Sequence, residues 1–102
     1  MARRTDNILA FTWYLEADYE KLLEVTDDDD GLRQNYHQWL VEARRALVNY
    51  KRRGFDPRRV YIDVDEYVEW CQSRDRPVDA KSREMFKEIQ RQAFYREIDR
   101  ND

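Results

Sequence analysis

Apolar residues recur along most of this chain at the spacing of helices, and along one stretch at the spacing of a strand. Over residues 6–25, Ile8, Phe11, Leu15, Leu22 and Val25 fall three, four and seven apart. That period places them on one stripe of a helix, with Thr5 or Asp6 as its cap, and sets Trp13, Tyr14 and Tyr19 beside the stripe. A second helix is predicted over residues 32–53, with a broad apolar face made by Leu32, Tyr36, Trp39, Leu40, Ala43, Ala46, Leu47 and Tyr50. Gly54 is its natural stop, because glycine takes the left-handed backbone that closes a helix without strain. The linker between the two, TDDDDG, is short and polar. Two helices so joined are expected to form an antiparallel hairpin.

The period then changes. Phe55, Asp56 and Pro57 read as a turn. In the run RRVYIDVDEYVEWC, Val60, Ile62 and Val64 alternate with Arg59, Tyr61 and Asp63, the mark of a half-buried strand. No other stretch of the sequence reads this way, so the strand is expected to stand alone. Asp63, followed three residues later by Glu66, matches a capping box, and Asp65 is an equally good cap. A third helix is therefore predicted over residues 66–73, with Tyr67, Val68 and Cys71 inward. Arg76-Pro77 breaks it, and Asp79 caps a fourth helix that reaches almost to Arg100. Met85, Phe86, Ile89 and Ala93 give that helix its core face, continued by Phe94, Tyr95 and Ile98 on a drifting stripe. The expected fold is mainly α with a minor β part. Residues 1–102 make one domain: a helical hairpin to 54, a turn and strand over 55–65, then two helices.

Composition agrees with a small folded domain. The chain has 102 residues, of which 40% are charged, a proportion that by itself leans toward disorder. The net charge is only −3 and 14% of residues are aromatic, and large rings supply much buried area each. Two glycines and two prolines exclude long flexible linkers. A single cysteine forms no internal disulfide, which fits a reducing compartment. No apolar run approaches the roughly 18 residues of a membrane span, and the arginines at 3 and 4 are followed by no apolar signal region. The expected location is the cytoplasm.

Charge is laid out unevenly. Residues 16–30 hold eight acids and one lysine, whereas residues 43–59 hold seven basic residues and one aspartate. In a hairpin the acidic run, Asp27 to Asp30 included, sits at the loop end. The cluster Lys51, Arg52, Arg53, Arg58 and Arg59 then lies at the other, with Arg3 and Arg4. A solvated helix surface explains such a layout; so does a docking end for an acidic partner, or head-to-tail contact between copies. Clustered arginines beside Tyr50, Phe55 and Tyr61 also fit a phosphate binder whose aromatics stack on bases. Against that, the chain is acidic overall. The order strand, helix, helix is similar to that of ribbon-helix-helix repressors, but Asp63 and Asp65 would repel phosphates there.

Sites of chemistry are poorly supported. Setting Gly31 at the invariant glycine of a calcium loop puts Thr26 and His37 where an aspartate and a glutamate are required, and only Asp28 and Asp30 match. The loop reads instead as a solubilising turn, with Asp30 a candidate cap for the second helix. His37 and Cys71 are each the only residue of their kind, too few for a transition-metal site and without the flanking signature of a thiol dyad. Cys71 reads as a small buried apolar residue. Asp63 and Asp65 are a conceivable acid–base pair, but capping explains both. No catalytic, cofactor-binding or metal residue is expected, and the chain is read as not an enzyme.

The run RGFDPRRVYIDVDEYVEWCQSRDRPVDAKSREMF, residues 53–86, resembles a pattern in small uncharacterised bacterial proteins. There a helical region precedes an Arg-Gly turn, a strand, an acidic-aromatic helix start and a Trp-Cys pair. The resemblance implies a bacterial or mobile-element origin and brings no activity with it.

A lone strand needs a partner. It can be covered by its own chain, pair antiparallel with a second copy, or add to the sheet of another protein. The homodimer is the favoured expectation, with Val60, Tyr61, Ile62, Val64 and Trp70 at the interface and Lys51, Arg52, Arg53, Arg58 and Arg59 as a charged contact patch. The functional reading is a non-catalytic protein–protein interaction or regulatory module. Its alternatives are a nucleic-acid-binding regulator using residues 51–59, and an inhibitor of a host or phage enzyme acting through the acidic end.

Overall fold

The computed structural model describes residues 7–27, 32 and 35–101. Its elements, in order, are β1 (Ile8–Trp13), α1 (Glu16–Val25), α2 (Tyr36–Arg52), β2 (Asp56–Tyr61), α3 (Val64–Ser73) and α4 (Ala80–Asn101). The fold is mostly helical, as expected, but the strand is not alone. The first half of the predicted first helix is extended and pairs with β2 in a two-stranded parallel sheet, in register from Ile8↔Asp56 to Trp13↔Tyr61. The segment ILAFTW favours this physically, since branched and aromatic side chains suit a pleated surface buried on both faces. Ala10 on one face and Trp13 on the other are both buried.

The sheet's two edges differ. In a strand the N–H and C=O of one residue point the same way, and successive residues alternate. Asp56 N–H donates to Asn7 O at 2.8 Å, and Ile62 N–H donates to Trp13 O at 2.9 Å. The even-numbered residues of β2 therefore face β1, while Pro57, Arg59 and Tyr61 face away. Pro57, which lacks an N–H, costs no ladder bond on that side. On β1 the outward residues are Ile8, Ala10 and Thr12. There the Tyr95 hydroxyl of α4 accepts from Ala10 N–H at 2.7 Å, covering that edge.

Capping sets the helix starts. Asn35, and not Asp30, caps α2 by accepting from Gln38 N–H at 2.9 Å. Gly54, at φ +93°, follows its last turn as expected. Asp63 caps α3 by accepting from Glu66 N–H at 3.1 Å, and Asp79 accepts from Ser82 N–H at 2.9 Å at the head of α4. Asp18 of α1 accepts from Val64 N–H at 3.0 Å, which fixes α1 against the start of α3. The end of α1 is tied to the α3–α4 loop, where Asp27 N–H donates to Val78 O and the Asp27 carboxylate accepts from Val78 N–H. Around these ties sits the core: Tyr14, Tyr19, Leu22, Ile62, Val64, Tyr67, Cys71 and Phe86.

Three further expectations change. The helical hairpin has no long first arm: α1 spans ten residues and meets α2 where Tyr19 packs on Tyr36 and Trp39. The strand begins at Asp56 and ends at Tyr61; Ile62 and Val64 continue its alternation because both still turn into the core, at 3% and 0% exposure. On α4, Met85 and Ile89 face outward, and the buried positions are Ser82, Arg83 and Phe86. Arg83 is tolerated there because its guanidinium donates to Thr26 Oγ1 at 2.9 Å. The first-helix caps Thr5 and Asp6, Arg3 and Arg4, and residues 28–31 of the acidic loop lie outside the described residues.

Candidate functional site

The residues expected at an interface divide into two groups. Ile62 and Val64 are core residues, and the packing of this chain alone accounts for them. Val60 is half-buried, and Tyr61 is 54% exposed at the end of β2. Trp13 and Tyr14 are each 3% exposed. They surround Trp39, whose ring lies 5.2 Å from Trp13, 5.4 Å from Tyr14 and 5.5 Å from Tyr36. Trp70 packs on Phe86 with Arg74 over its ring, beside a shallow groove of about 440 Å³ rimmed by Glu66 and Glu69. Its indole N–H has no acceptor among the described residues.

The expected charged residues follow one another along the end of α2, the turn and β2. Lys51 and Arg52 end α2, where cations suit the negative end of the helix dipole. The turn at Gly54 then leads straight into β2, which carries Arg58 and Arg59 on its opposite faces, and Lys51 is near enough to Asp56 to act on that carboxylate with Arg58. All five are exposed. Among the described residues only Arg58 pairs with a carboxylate, Asp56 at 2.9 Å, a bond that holds that acid below its usual range. Arg53 lies over the rings of Tyr50 and Phe55, and Arg59 lies 4.2 Å over Trp13. Aromatic faces thus orient two of the guanidiniums without neutralising them.

The groups considered for chemistry are otherwise occupied. Asp63 caps α3, while Asp65 pairs with Lys21 and raises that ammonium's affinity for its proton. Burial pushes the Cys71 thiol up, which suppresses the thiolate needed of a nucleophile. His37 is exposed on α2. No cluster of three metal-ligating side chains occurs among the described residues, and no helix among them is long and apolar enough to cross a membrane. Lys87 is a group that sequence reasoning missed. It lies 5.6 Å from the Tyr14 ring in a recess of about 260 Å³ lined also by Phe11, Thr12 and Trp39. Burial lowers its pKa, and Glu84, at 3.5 Å, offsets this only in part. A lysine among acids and arginines on a surface-looking helix carries no sequence signal for such a position. No protein-family model, curated protein or solved structure matches the chain.

Proposed function

We propose that this chain is a non-catalytic protein-binding module that docks an acidic segment of another protein on its basic end. The observation that supports this is the gathering of Lys51, Arg52, Arg53, Arg58 and Arg59, all exposed, with one carboxylate among them taken up by Arg58. A potential of one sign at one end steers an oppositely charged partner to it. The strand no longer calls for a second copy, because β1 supplies its partner inside the chain. Antiparallel pairing of two copies centred on Arg59 would also set arginine against arginine across the junction, and like charges directly opposite destabilise a ladder. The inhibitor reading through the acidic end has less support: Asp18 and Asp27 are both spent on backbone N–H groups of this chain.

Nucleic acid is the second reading, favoured by the arginines beside Tyr50 and Phe55. Fluorescence anisotropy separates the two. A labelled extended peptide rich in aspartate and glutamate is expected to bind, and Arg52→Glu with Arg53→Glu is expected to abolish binding. An oligonucleotide of equal charge is expected to bind more weakly. Tighter, steeply salt-dependent binding of the oligonucleotide would transfer the assignment to nucleic acid, and binding of neither would end the proposal.

A further inference from the structure

Resting on that reading, we infer that the acidic segment binds by strand addition, as a third strand on the outer edge of β2. Three observations converge there. The ladder fixes the outward groups of β2 as those of Pro57, Arg59 and Tyr61, because Asp56 and Ile62 both donate inward to β1. Among the described residues nothing bonds to the outward N–H groups of Arg59 and Tyr61, whereas the opposite edge of the sheet is closed by Tyr95 on Ala10. The residues flanking the open edge are cationic on both faces of the sheet, Arg58 on one and Arg59 on the other.

An open edge is a template for another chain, and a soluble protein ordinarily blunts it. Here the blunting is partial. Pro57 removes one outward donor at the start of β2, and the arginines repel a second β2 edge. What remains is selective: two donors and the neighbouring carbonyls for a backbone, with positive charge that favours acidic side chains at opposed positions. Strand addition reads backbone, so it tolerates variation in the partner's sequence where the acids are kept. It also explains why Tyr61 is left 54% exposed at the end of the strand, beside the path of an added chain.

The test compares an acidic peptide with the same peptide N-methylated at alternate residues, each titrated into the full chain, with amide hydrogen exchange read on the complex. N-methylation removes donors and leaves charge intact. Losing the hydrogen bonds of the added strand is expected to weaken binding about tenfold or more. The amides of Arg59 and Tyr61 are expected to gain protection. Tyr61→Pro, which deletes an outward donor and no ladder bond, is expected to weaken the unmodified peptide similarly while the circular dichroism spectrum is kept. Equal binding of both peptides, without new protection in β2, would overturn strand addition and leave the acidic-partner reading standing. If neither peptide binds, both fall. A salt-insensitive dimer of the free chain with Arg59 and Tyr61 already protected would assign the edge to a second copy instead, and overturn the inference.

Discussion

Asp63 and Asp65 show how little a residue's type says about its work. Both were equal candidates for one cap. The structure gives the cap to Asp63, whose carboxylate accepts from Glu66 N–H, and leaves Asp65 on the surface opposite Lys21. Asp63→Ala is therefore expected to cost about 1 kcal/mol, the usual worth of an N-cap. Asp65→Ala should leave the urea midpoint unchanged, because an exposed pair is screened by water. The buried tyrosines make a second prediction. Burial raises the pKa of both Tyr14 and Tyr67 above the ordinary 10.0. In the unfolded chain these phenols ionise near pH 10, while in the folded chain they hold their protons. Their contribution to stability is fully present below pH 10 and is lost as pH rises beyond it. Thermal melts across alkaline pH should show that decline. Tyr67→Phe should flatten part of it, at the expense of the hydrogen bond from the Tyr67 hydroxyl to Asp79 O.

At the scale of elements, β1 depends on a residue far from it in sequence. Its outward Ala10 N–H is satisfied by the Tyr95 hydroxyl, 85 positions away. Tyr95→Phe leaves that donor without a partner in a part-buried place, a loss of about 1–3 kcal/mol. Denaturant unfolding should register it, and exchange at the Ala10 amide should quicken. The same element explains what could and could not be read from the sequence. The caps Asp63 and Asp79, the Gly54 stop and the extent of α4 were legible because each rests on chemistry within a few residues, whereas α2 begins at Tyr36 behind the Asn35 cap and not at Leu32. β1 was not. A strand buried on both faces loses its alternation, and Ile8, Phe11 and Leu15 happened to match a helical period. Leu15, 55% exposed just before α1, shows that the match was accidental. The inward face of α4 was hidden for a related reason: Ser82 and Arg83 are buried, and not Met85 and Ile89, because Arg76 of the α3–α4 loop and Thr26, just past α1, present polar partners there. Of the candidate site, the basic cluster was visible as a run of charge. The parity of β2, which decides what that cluster flanks, became definable only once β1 was in place.

The whole molecule turns on that pairing. With β1 against β2, the strand that seemed to require a second copy is a seam inside one chain, and Ile62 belongs to the core next to Val64 and Tyr67. A lysine at position 62 therefore probes the fold before it probes any interface. Ile62→Lys removes a side chain that is 3% exposed and puts an ammonium among apolar neighbours. Losing the buried chain costs about 2–5 kcal/mol, and the charge adds its own desolvation. Against the roughly 5–15 kcal/mol that holds a domain of this size together, the variant is expected to be largely unfolded or to melt far below the wild type. Light scattering with circular dichroism distinguishes the cases. The wild type should run as a monomer at low and high salt, and the variant should lose helical signal without any change of association to explain it. A wild-type dimer that Ile62→Lys converts into a folded monomer would reverse this assignment and place the side chain between subunits. The arginines bear on the same measurement from outside the core. Arg59→Glu removes repulsion between two β2 edges and gives up the cation–π contact over Trp13, worth about 0.5–1 kcal/mol, so it should lower the melting temperature by only a few degrees. A dimer appearing only in that variant would show that the charge at position 59 decides whether two β2 edges pair.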